Sequence, residues 1–163
     1  MKIFLGADHR GFELKEKLKE WLKDHGHAVE DCGAHALDPA DDYVDFAAAV
    51  AKEMAVATAS EARGILICGS GHGMDVVANK FKGVSAALAT DVASAIQERQ
   101  HDDNRVIVLA SDSLIPPAAL DIVKAWLDTP FSGEERHVRR LEKIEEIEEK
   151  NFSAEGGSAS GGK

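Results

Sequence analysis

Three glycines at alternate positions follow a cysteine near the middle of the chain. The run is Gly64-Ile-Leu-Ile-Cys-Gly-Ser-Gly-His-Gly73, in which residues 65–67 are typical of a buried strand that ends at Cys68. Residues 74–81 have a helical pattern, so the glycines form a tight turn before a helix. Backbone N–H groups in such a turn can converge on an anion, and a helix N-terminus favours a thiolate. The run therefore predicts an anion site beside a reactive thiol.

Two polar residues, Asp8 and His9, directly follow the first strand-like segment, residues 3–5. Parallel strands end at the same edge of a sheet, so both side chains are expected near Cys68. The alternative is that Asp8 caps a helix and His9 faces solvent. Tyr43 begins a helix after an acidic loop and could line the site or anchor that helix.

A second group of candidates lies later in the chain. His101 ends a helix, where the dipole favours a histidine even without a function. Arg136 and Arg140 are four residues apart, so they share one helix face and could clamp a phosphate. The alternative for this pair is ion pairing with neighbouring glutamates.

Several common site types are excluded by spacing. No Gly-Lys-Ser/Thr follows the glycines, and the first turn, residues 6–11, lacks the dinucleotide-binding spacing. No CxxC motif occurs, and Cys32 fits strand-end packing. The seven histidines show no metal-ligand spacing, so no metal site is predicted.

Strand and helix patterns alternate along the chain. Strands are predicted at 3–5, 28–29, 65–68, 84–88 and 106–109, and helices at 12–25, 43–58, 74–81, 91–100, 118–127 and 134–150. Short apolar strands that are each followed by a helix predict an α/β fold with a five-stranded parallel sheet and helices on both faces. One domain is expected over 1–150, and the Gly/Ser-rich segment 151–163 is expected to be a flexible tail.

Composition limits the partners and the compartment. The net charge of −10 argues against a nucleic-acid partner, whose phosphates would be repelled. No apolar run approaches a membrane span, and the start of the chain lacks the shape of a signal peptide. Two cysteines far apart give no disulfide framework, which favours a reducing cytoplasm.

Taken together, these segments resemble the ribose-5-phosphate isomerase B family, which belongs with the galactose-6-phosphate isomerase subunits. The resemblance runs in order through residues 1 to about 150. Its pieces are Gly6-Ala7-Asp8-His9-Arg10-Gly11-Phe12-Glu13-Leu14-Lys15, Asp42-Tyr43, Gly64 to Gly71, Gly73, Ala78-Asn79-Lys80, His101, Arg136-His137 and Arg140.

The resemblance implies a Rossmann-like three-layer α/β/α sandwich and a homodimer, with assembly into a tetramer left open. It also implies cofactor-free interconversion of an aldose phosphate and a ketose phosphate at sites between subunits. Cys68 is similar to the family's catalytic base. Ser70 and the N–H groups of Gly69, Gly71 and Gly73 are similar to the groups that stabilise the enediolate oxygens. Asp8 is similar to a residue that contacts a sugar hydroxyl or handles a proton. His101 is similar to the acid/base that opens the sugar ring and is supplied by the other subunit. The residues similar to those that bind the phosphate are His9, Arg136 and Arg140.

Two positions depart from the family pattern. Asp102 stands at a substrate-contact position where the family usually has Asn, and Asp112 stands where it usually has Arg. Both add negative charge near a dianionic substrate. His72, inside the glycine turn, is also unusual and could replace a lost donor. The alternatives are therefore an isomerase of a tetrose or hexose phosphate, or a non-catalytic sugar-phosphate-binding dimer.

Overall fold

Five parallel strands form a single sheet in the order β2-β1-β3-β5-β4. The computed structural model describes residues 1–58 and 62–153. The strands are β1 (Lys2–Ala7), β2 (Ala28–Asp31), β3 (Ala62–Cys68), β4 (Ala86–Leu88) and β5 (Val106–Ala110). The helices are α1 (Phe12–Asp24), α2 (Tyr43–Val56), α3 (His72–Ala78), α4 (Val92–Asp102), α5 (Pro116–Asp128) and α6 (Glu135–Phe152). The predicted α/β class and parallel sheet are confirmed.

Alternating side chains of the strands divide the core into two layers. On β3, Ile65 and Ile67 pack in the cluster that contains apolar side chains of α1, α4 and α5. Leu66 and Cys68 point to the opposite face and pack in the cluster that contains side chains of α2 and α3. Since successive strand residues face opposite sides of a sheet, a run that is apolar at every position becomes buried on both faces.

The strand order changes direction beside β1. From β1 the chain moves outward to β2 and then returns past β1 to form β3, which pairs with β1 from Lys2–Ala62 to Ala7–Ile67. Ligands of open α/β sheets bind at such a switch point, beyond the carboxyl ends of the strands. The crevice between the ends of β1 and β3 is therefore the expected binding site, and it lies beside Asp8 and Cys68.

Some element bounds differ from those predicted. Helix α3 begins at His72 rather than at residue 74, because Gly71 has a positive φ of 79° and forms its N-cap. Strand β4 is limited to three residues, since Val84 belongs to a turn in which its N–H donates to the carbonyl of Phe81. Helix α6 continues through Phe152, past the predicted tail boundary at 151, and the tail from 154 onward lies outside the described residues.

Candidate active site

A pocket of about 330 Å³ opens at the switch point between β1 and β3. This volume is at the small end of ligand pockets and suits a small metabolite. Its lining residues are Asp8, His9, Arg10, Tyr43, Cys68, Gly69, Ser70 and Gly73. Seven of these residues are among the site residues predicted from the sequence, and Arg10 is the addition.

Cys68 lies at the end of β3 with only 5% of its surface exposed. The N–H of Gly71 donates to its Sγ at 3.2 Å. Burial raises the pKa of the Cys68 thiol, and the charge of Asp8 acts in the same direction, while the backbone N–H groups of Gly71, Met74 and Ser70 oppose it. The glycine turn thus favours the thiolate, as the sequence predicted, but burial outweighs it in the isolated chain.

The three glycines of the turn permit three different close approaches. A Cβ at Gly71 would lie 2.4 Å from Leu88 Cδ1, and the positive φ of Gly71 already disfavours other residues. A Cβ at Gly73 would lie 2.5 Å from the ring of Tyr43, and one at Gly69 would lie 2.5 Å from Nε of Arg10. The side chains of Tyr43 and Arg10, which line the pocket, therefore pack directly against the glycine turn.

Asp8 is held in place by the turn that precedes α1. Its Oδ1 accepts from the backbone N–H groups of Arg10 and Gly11, each at 3.0 Å, and only 5% of the residue is exposed. Gly11 makes this turn possible, because a Cβ there would lie 2.3 Å from the carbonyl oxygen of Ile67. Asp8 therefore lies in the pocket and stabilises the turn before α1. The alternative that it caps the helix is wrong, because the N-cap is Gly11 and no side chain caps it.

His9 is paired with a carboxylate from the acidic loop. Its Nδ1 lies 2.6 Å from Asp41 Oδ1, and its backbone N–H donates to the same oxygen at 3.1 Å. The side chain of Asp41 is 8% exposed, while that of His9 is 31% exposed. The carboxylate therefore fixes which edge of the imidazole turns toward the pocket.

Arg10, which lines the pocket, forms an ion pair with Asp112. The backbone N–H of Asp112 donates to the Gly69 carbonyl at 3.0 Å, and Ser111 Oγ donates to the Arg10 carbonyl at 3.0 Å. The loop after β5 is thereby tied to both glycine-containing turns. The carboxylate of Asp112 is neutralised by a guanidinium of the same chain.

His72 lies outside the pocket of this chain. It is exposed, its Nδ1 lies 3.2 Å from the carbonyl oxygen of Ser70, and it is not among the residues that line the pocket.

The later group of predicted residues lies on α4 and in the first part of α6. The rings of His101 and His137 are 4.4 Å apart between centroids, and His137 is 2% exposed with its Nδ1 at 2.7 Å from Ser132 Oγ. Arg136 is exposed and its Nε donates to Glu134 Oε2 at 2.8 Å.

Asp102 lines a different cavity of about 420 Å³, bordered by α6. None of His101, Asp102, Arg136 and Arg140 lines the pocket that the described residues of this chain form. The structure thus brings together one half of the predicted site and leaves the other half apart.

Three residues that contact or adjoin these groups, Arg10, Asp41 and His137, are not among the predicted site residues. Arg10 and His137 lie inside two segments of the family resemblance, and each directly adjoins a proposed phosphate contact. That position in the sequence is a signal that could identify them as site residues. Asp41 carries no such signal, because the loop contains several acidic residues and the chain gives no indication which of them reaches His9.

Neither a metal centre nor a membrane helix is found in the part of the chain that the structure describes. There, no three His, Cys, Asp or Glu side chains are grouped as a metal ion would require. No helix within residues 1–58 and 62–153 combines the length and the hydropathy needed to cross a bilayer.

Comparison with known proteins gives consistent results along almost the whole chain. The profile described as Ribose/Galactose Isomerase matches residues 3–144. Ribose-5-phosphate isomerase B of Mycobacterium tuberculosis is 40% identical over 148 residues, which cover 91% of this chain and 90% of that protein.

Two solved structures are similar over comparable lengths. Ribose-5-phosphate isomerase B of Mycoplasma genitalium with bound ribulose-5-phosphate has a TM-score of 0.88 at 40% identity, covering 91% of this chain and 97% of that one. The Clostridium thermocellum ribose-5-phosphate isomerase B has a TM-score of 0.86 at 40% identity, covering 94% of this chain and 100% of that one.

The parallel sheet and the pocket at its switch point define a Rossmann-like α/β enzyme with a small-metabolite site. The chain belongs to the ribose/galactose isomerase family. It is accordingly an aldose–ketose isomerase that acts on a sugar phosphate.

Proposed function

We propose that this enzyme interconverts ribose 5-phosphate and ribulose 5-phosphate without a cofactor, with Cys68 as the base. The observation that carries the proposal is the thiol of Cys68 in a pocket that also presents Asp8 and Ser70. Support comes from the Mycoplasma genitalium relative, which is 40% identical and has ribulose-5-phosphate bound.

The reaction transfers one proton between adjacent carbons. The Cys68 thiolate removes the proton from C2 of the open-chain aldose, and the C1 carbonyl oxygen takes up the negative charge, which gives an enediolate. The hydroxyl proton of O2 passes to O1, and the Cys68 thiol proton exchanges with solvent while the enediolate is bound. The thiol then protonates C1, and C2 becomes the ketone carbon. Donors that face the developing charge lower the barrier. Ser70 and the N–H groups of residues 69–73 are proposed for this role.

The remaining groups are proposed to open the sugar ring and to hold the phosphate. His101 acts as the ring-opening acid/base, and His9, Arg136 and Arg140 bind the phosphate. Holding the far end of the substrate would orient C1 and C2 against Cys68. Asp8, fixed by two backbone N–H groups, would contact a sugar hydroxyl. Tyr43 and Gly73 would close the side of the pocket.

A homodimer is proposed, in which a second copy supplies His101, Arg136 and Arg140 to each pocket. The separation of these residues from the pocket in a single chain supports this arrangement. A cytoplasmic location is also proposed, because the base must remain a reduced thiol and both described cysteines are free.

Isomerisation of ribose 5-phosphate by purified protein tests the proposal. The unchanged enzyme and Cys68→Ala would be compared, and Cys32→Ala is a matched control because it removes the other thiol, outside the pocket. We expect a loss of at least about a hundredfold in kcat for Cys68→Ala and little change for Cys32→Ala. Equal activity of all three proteins would exclude Cys68 as the base.

One observation favours a different sugar phosphate as the substrate. The carboxylate of Asp112 pairs with the guanidinium of Arg10, a residue that lines the pocket. The same assay with four-carbon and six-carbon aldose phosphates decides between substrates. A higher kcat/KM for one of these sugars would reassign the substrate, and no turnover of any of them would leave a sugar-phosphate-binding protein.

A further inference from the structure

We infer that Asp41 is a positioning residue for the active site, which orients His9 and balances its charge so that His9 Nε2 binds the anionic end of the substrate. The inference rests on the proposed function for the identity of that anion. It follows from a contact between two loops that are 32 residues apart in the chain.

The contact determines the tautomer of the His9 ring. An ionised carboxylate can only accept hydrogen bonds, so the 2.6 Å contact requires a proton on His9 Nδ1. The opposite nitrogen, Nε2, has no hydrogen-bond partner among the residues that the structure describes. Since His9 lines the pocket, Nε2 is the nitrogen left to meet a ligand.

Charge explains why a carboxylate suits this position. To donate a hydrogen bond to a phosphate oxygen, Nε2 must also carry a proton, and the ring is then a cation. The Asp41 carboxylate lies against that cation and stabilises it. An acidic residue beside an anion site would otherwise repel the ligand, but this one forms a neutral pair with the ring that binds it.

The environment of Asp41 argues against a purely structural role in the loop. Its side chain is 8% exposed, and its only hydrogen-bond donors among the described residues are two groups of His9. Its Oδ2 is buried without a partner. A nearly buried carboxylate is costly unless a cation compensates it, and His9 is the group in place to do so.

A double-mutant cycle separates orientation of the ring from tethering of the loop. Asp41→Asn keeps an oxygen that can accept from the backbone N–H of His9 but removes the charge. We expect Asp41→Asn to raise KM for ribose 5-phosphate about tenfold, with kcat changed less than about threefold. In a His9→Asn background the same substitution is expected to change KM less than about twofold.

Asp38→Asn is the matched control, since it makes the same charge change in the same loop. Asp38 is exposed and accepts from the N–H of Ala40, with no contact to His9. The KM of the Asp38→Asn enzyme is expected to stay near that of the unchanged enzyme. An equal rise in KM with and without the His9 side chain, or an equal rise in Asp38→Asn, would overturn the inference.

A second readout does not depend on turnover. The imidazole nitrogen chemical shifts of His9 in the substrate-free protein should report a fixed Nδ1–H form, and Asp41→Ala, which removes the accepting oxygen, should convert it to a mixture of tautomers. Unchanged shifts in Asp41→Ala would contradict the positioning role. If no sugar phosphate is turned over, the proposed function fails, and the role of Asp41 is then decided by these shifts and by calorimetric binding of inorganic phosphate.

Discussion

Cys68 is subject to two opposing influences, and their balance sets how the enzyme should respond to pH. Burial raises the pKa of its thiol, with a contribution from Asp8, whereas the N–H groups of Gly71, Met74 and Ser70 lower it, and the first influence is the larger. The proposed base is active only as the thiolate. The fraction of enzyme ready to react with the free substrate therefore increases with pH.

We predict that kcat/KM for isomerisation rises with pH through neutrality and reaches its plateau only at a pH above the usual pKa of a thiol. The reason is that a raised pKa shifts the deprotonated form of Cys68 to higher pH. The measurement is a pH profile of kcat/KM, with Cys32→Ala expected to give the same profile. A plateau reached below neutral pH would contradict the assignment.

Gly71 offers a second test at the residue scale, because the chain contains a comparable glycine elsewhere. Gly71 and Gly83 have similar positive φ values of 79° and 75°. A Cβ at Gly71 would meet Leu88 at 2.4 Å, whereas a Cβ at Gly83 has nothing within 4 Å. Alanine at either position carries the same backbone cost of roughly 1–2 kcal/mol.

We predict that Gly71→Ala lowers kcat at least about tenfold, since the shift needed to avoid Leu88 would move the N–H that contacts Cys68. Gly83→Ala should lower the free energy of unfolding by a similar amount, because its backbone is also strained, but it should retain the kcat of the unchanged enzyme. Steady-state kinetics and urea unfolding of both variants provide the comparison. Equal kcat values in the two variants would show that the Gly71 contact has no role in the reaction.

At the scale of elements, an ion network fastens α1 to the end of β2. Lys15 Nζ is buried and donates to both oxygens of Asp31, at 2.6 and 2.8 Å, and to the Ala34 carbonyl at 2.6 Å. Burial raises the pKa of Asp31, but the hydrogen bonds from Lys15, Lys19 and the Gly33 N–H outweigh it and lower the pKa from 3.8 to about 2. This network holds the segment that pairs with the end of β1.

We predict that Asp31→Asn reduces the free energy of unfolding by roughly 2 kcal/mol or more at neutral pH, because it also leaves the buried Lys15 without its carboxylate. The native pKa of Asp31 is depressed, so its contribution is present above the unfolded-state value and is lost as pH falls through about 2. Urea unfolding at neutral and acidic pH measures this, with the exposed Asp24→Asn as control. A difference from the unchanged protein that stays constant down to the lowest pH would contradict it.

The sequence patterns were sufficient to predict the helices and strands but not the order in which the strands pair or the contacts between loops. Alternating apolar strands and amphipathic helices are local patterns, so Ile65–Ile67 and the stripe from Leu14 to Leu22 could be assigned from periodicity. The strand order and the contact between His9 and Asp41 depend on tertiary packing, which no local pattern records. The pattern predicts the start of α3 two residues too late, because it does not show that Gly71 adopts a positive φ.

At the scale of the whole molecule, the candidate site is divided between two groups of residues in one chain. Cys68 lines the pocket, whereas His101, Arg136 and Arg140 lie on α4 and α6 and do not line it. Helix α6, which contains both arginines, buries only His137 among its residues. A second copy that covers α6 would complete the site, in agreement with the proposed homodimer.

We predict that mixing Cys68→Ala and His101→Ala proteins, each deficient alone, restores up to about a quarter of the unchanged activity after subunit exchange. Half of the mixed population would be heterodimers, and one of the two sites in each would be intact. Activity is followed against time, with subunit exchange verified independently. No recovery after complete exchange would mean that each site is built from one chain.

The central claim is that Cys68 transfers a proton through an enediolate, and solvent labelling tests it most directly. Ribose 5-phosphate is converted in deuterium oxide, and nuclear magnetic resonance locates the label. The account predicts one deuterium at C1 of ribulose 5-phosphate and exchange at C2 of the recovered aldose, both lost in Cys68→Ala and retained in Cys32→Ala. Isomerisation that proceeds to equilibrium without any deuterium uptake, or uptake that persists in Cys68→Ala, would contradict it.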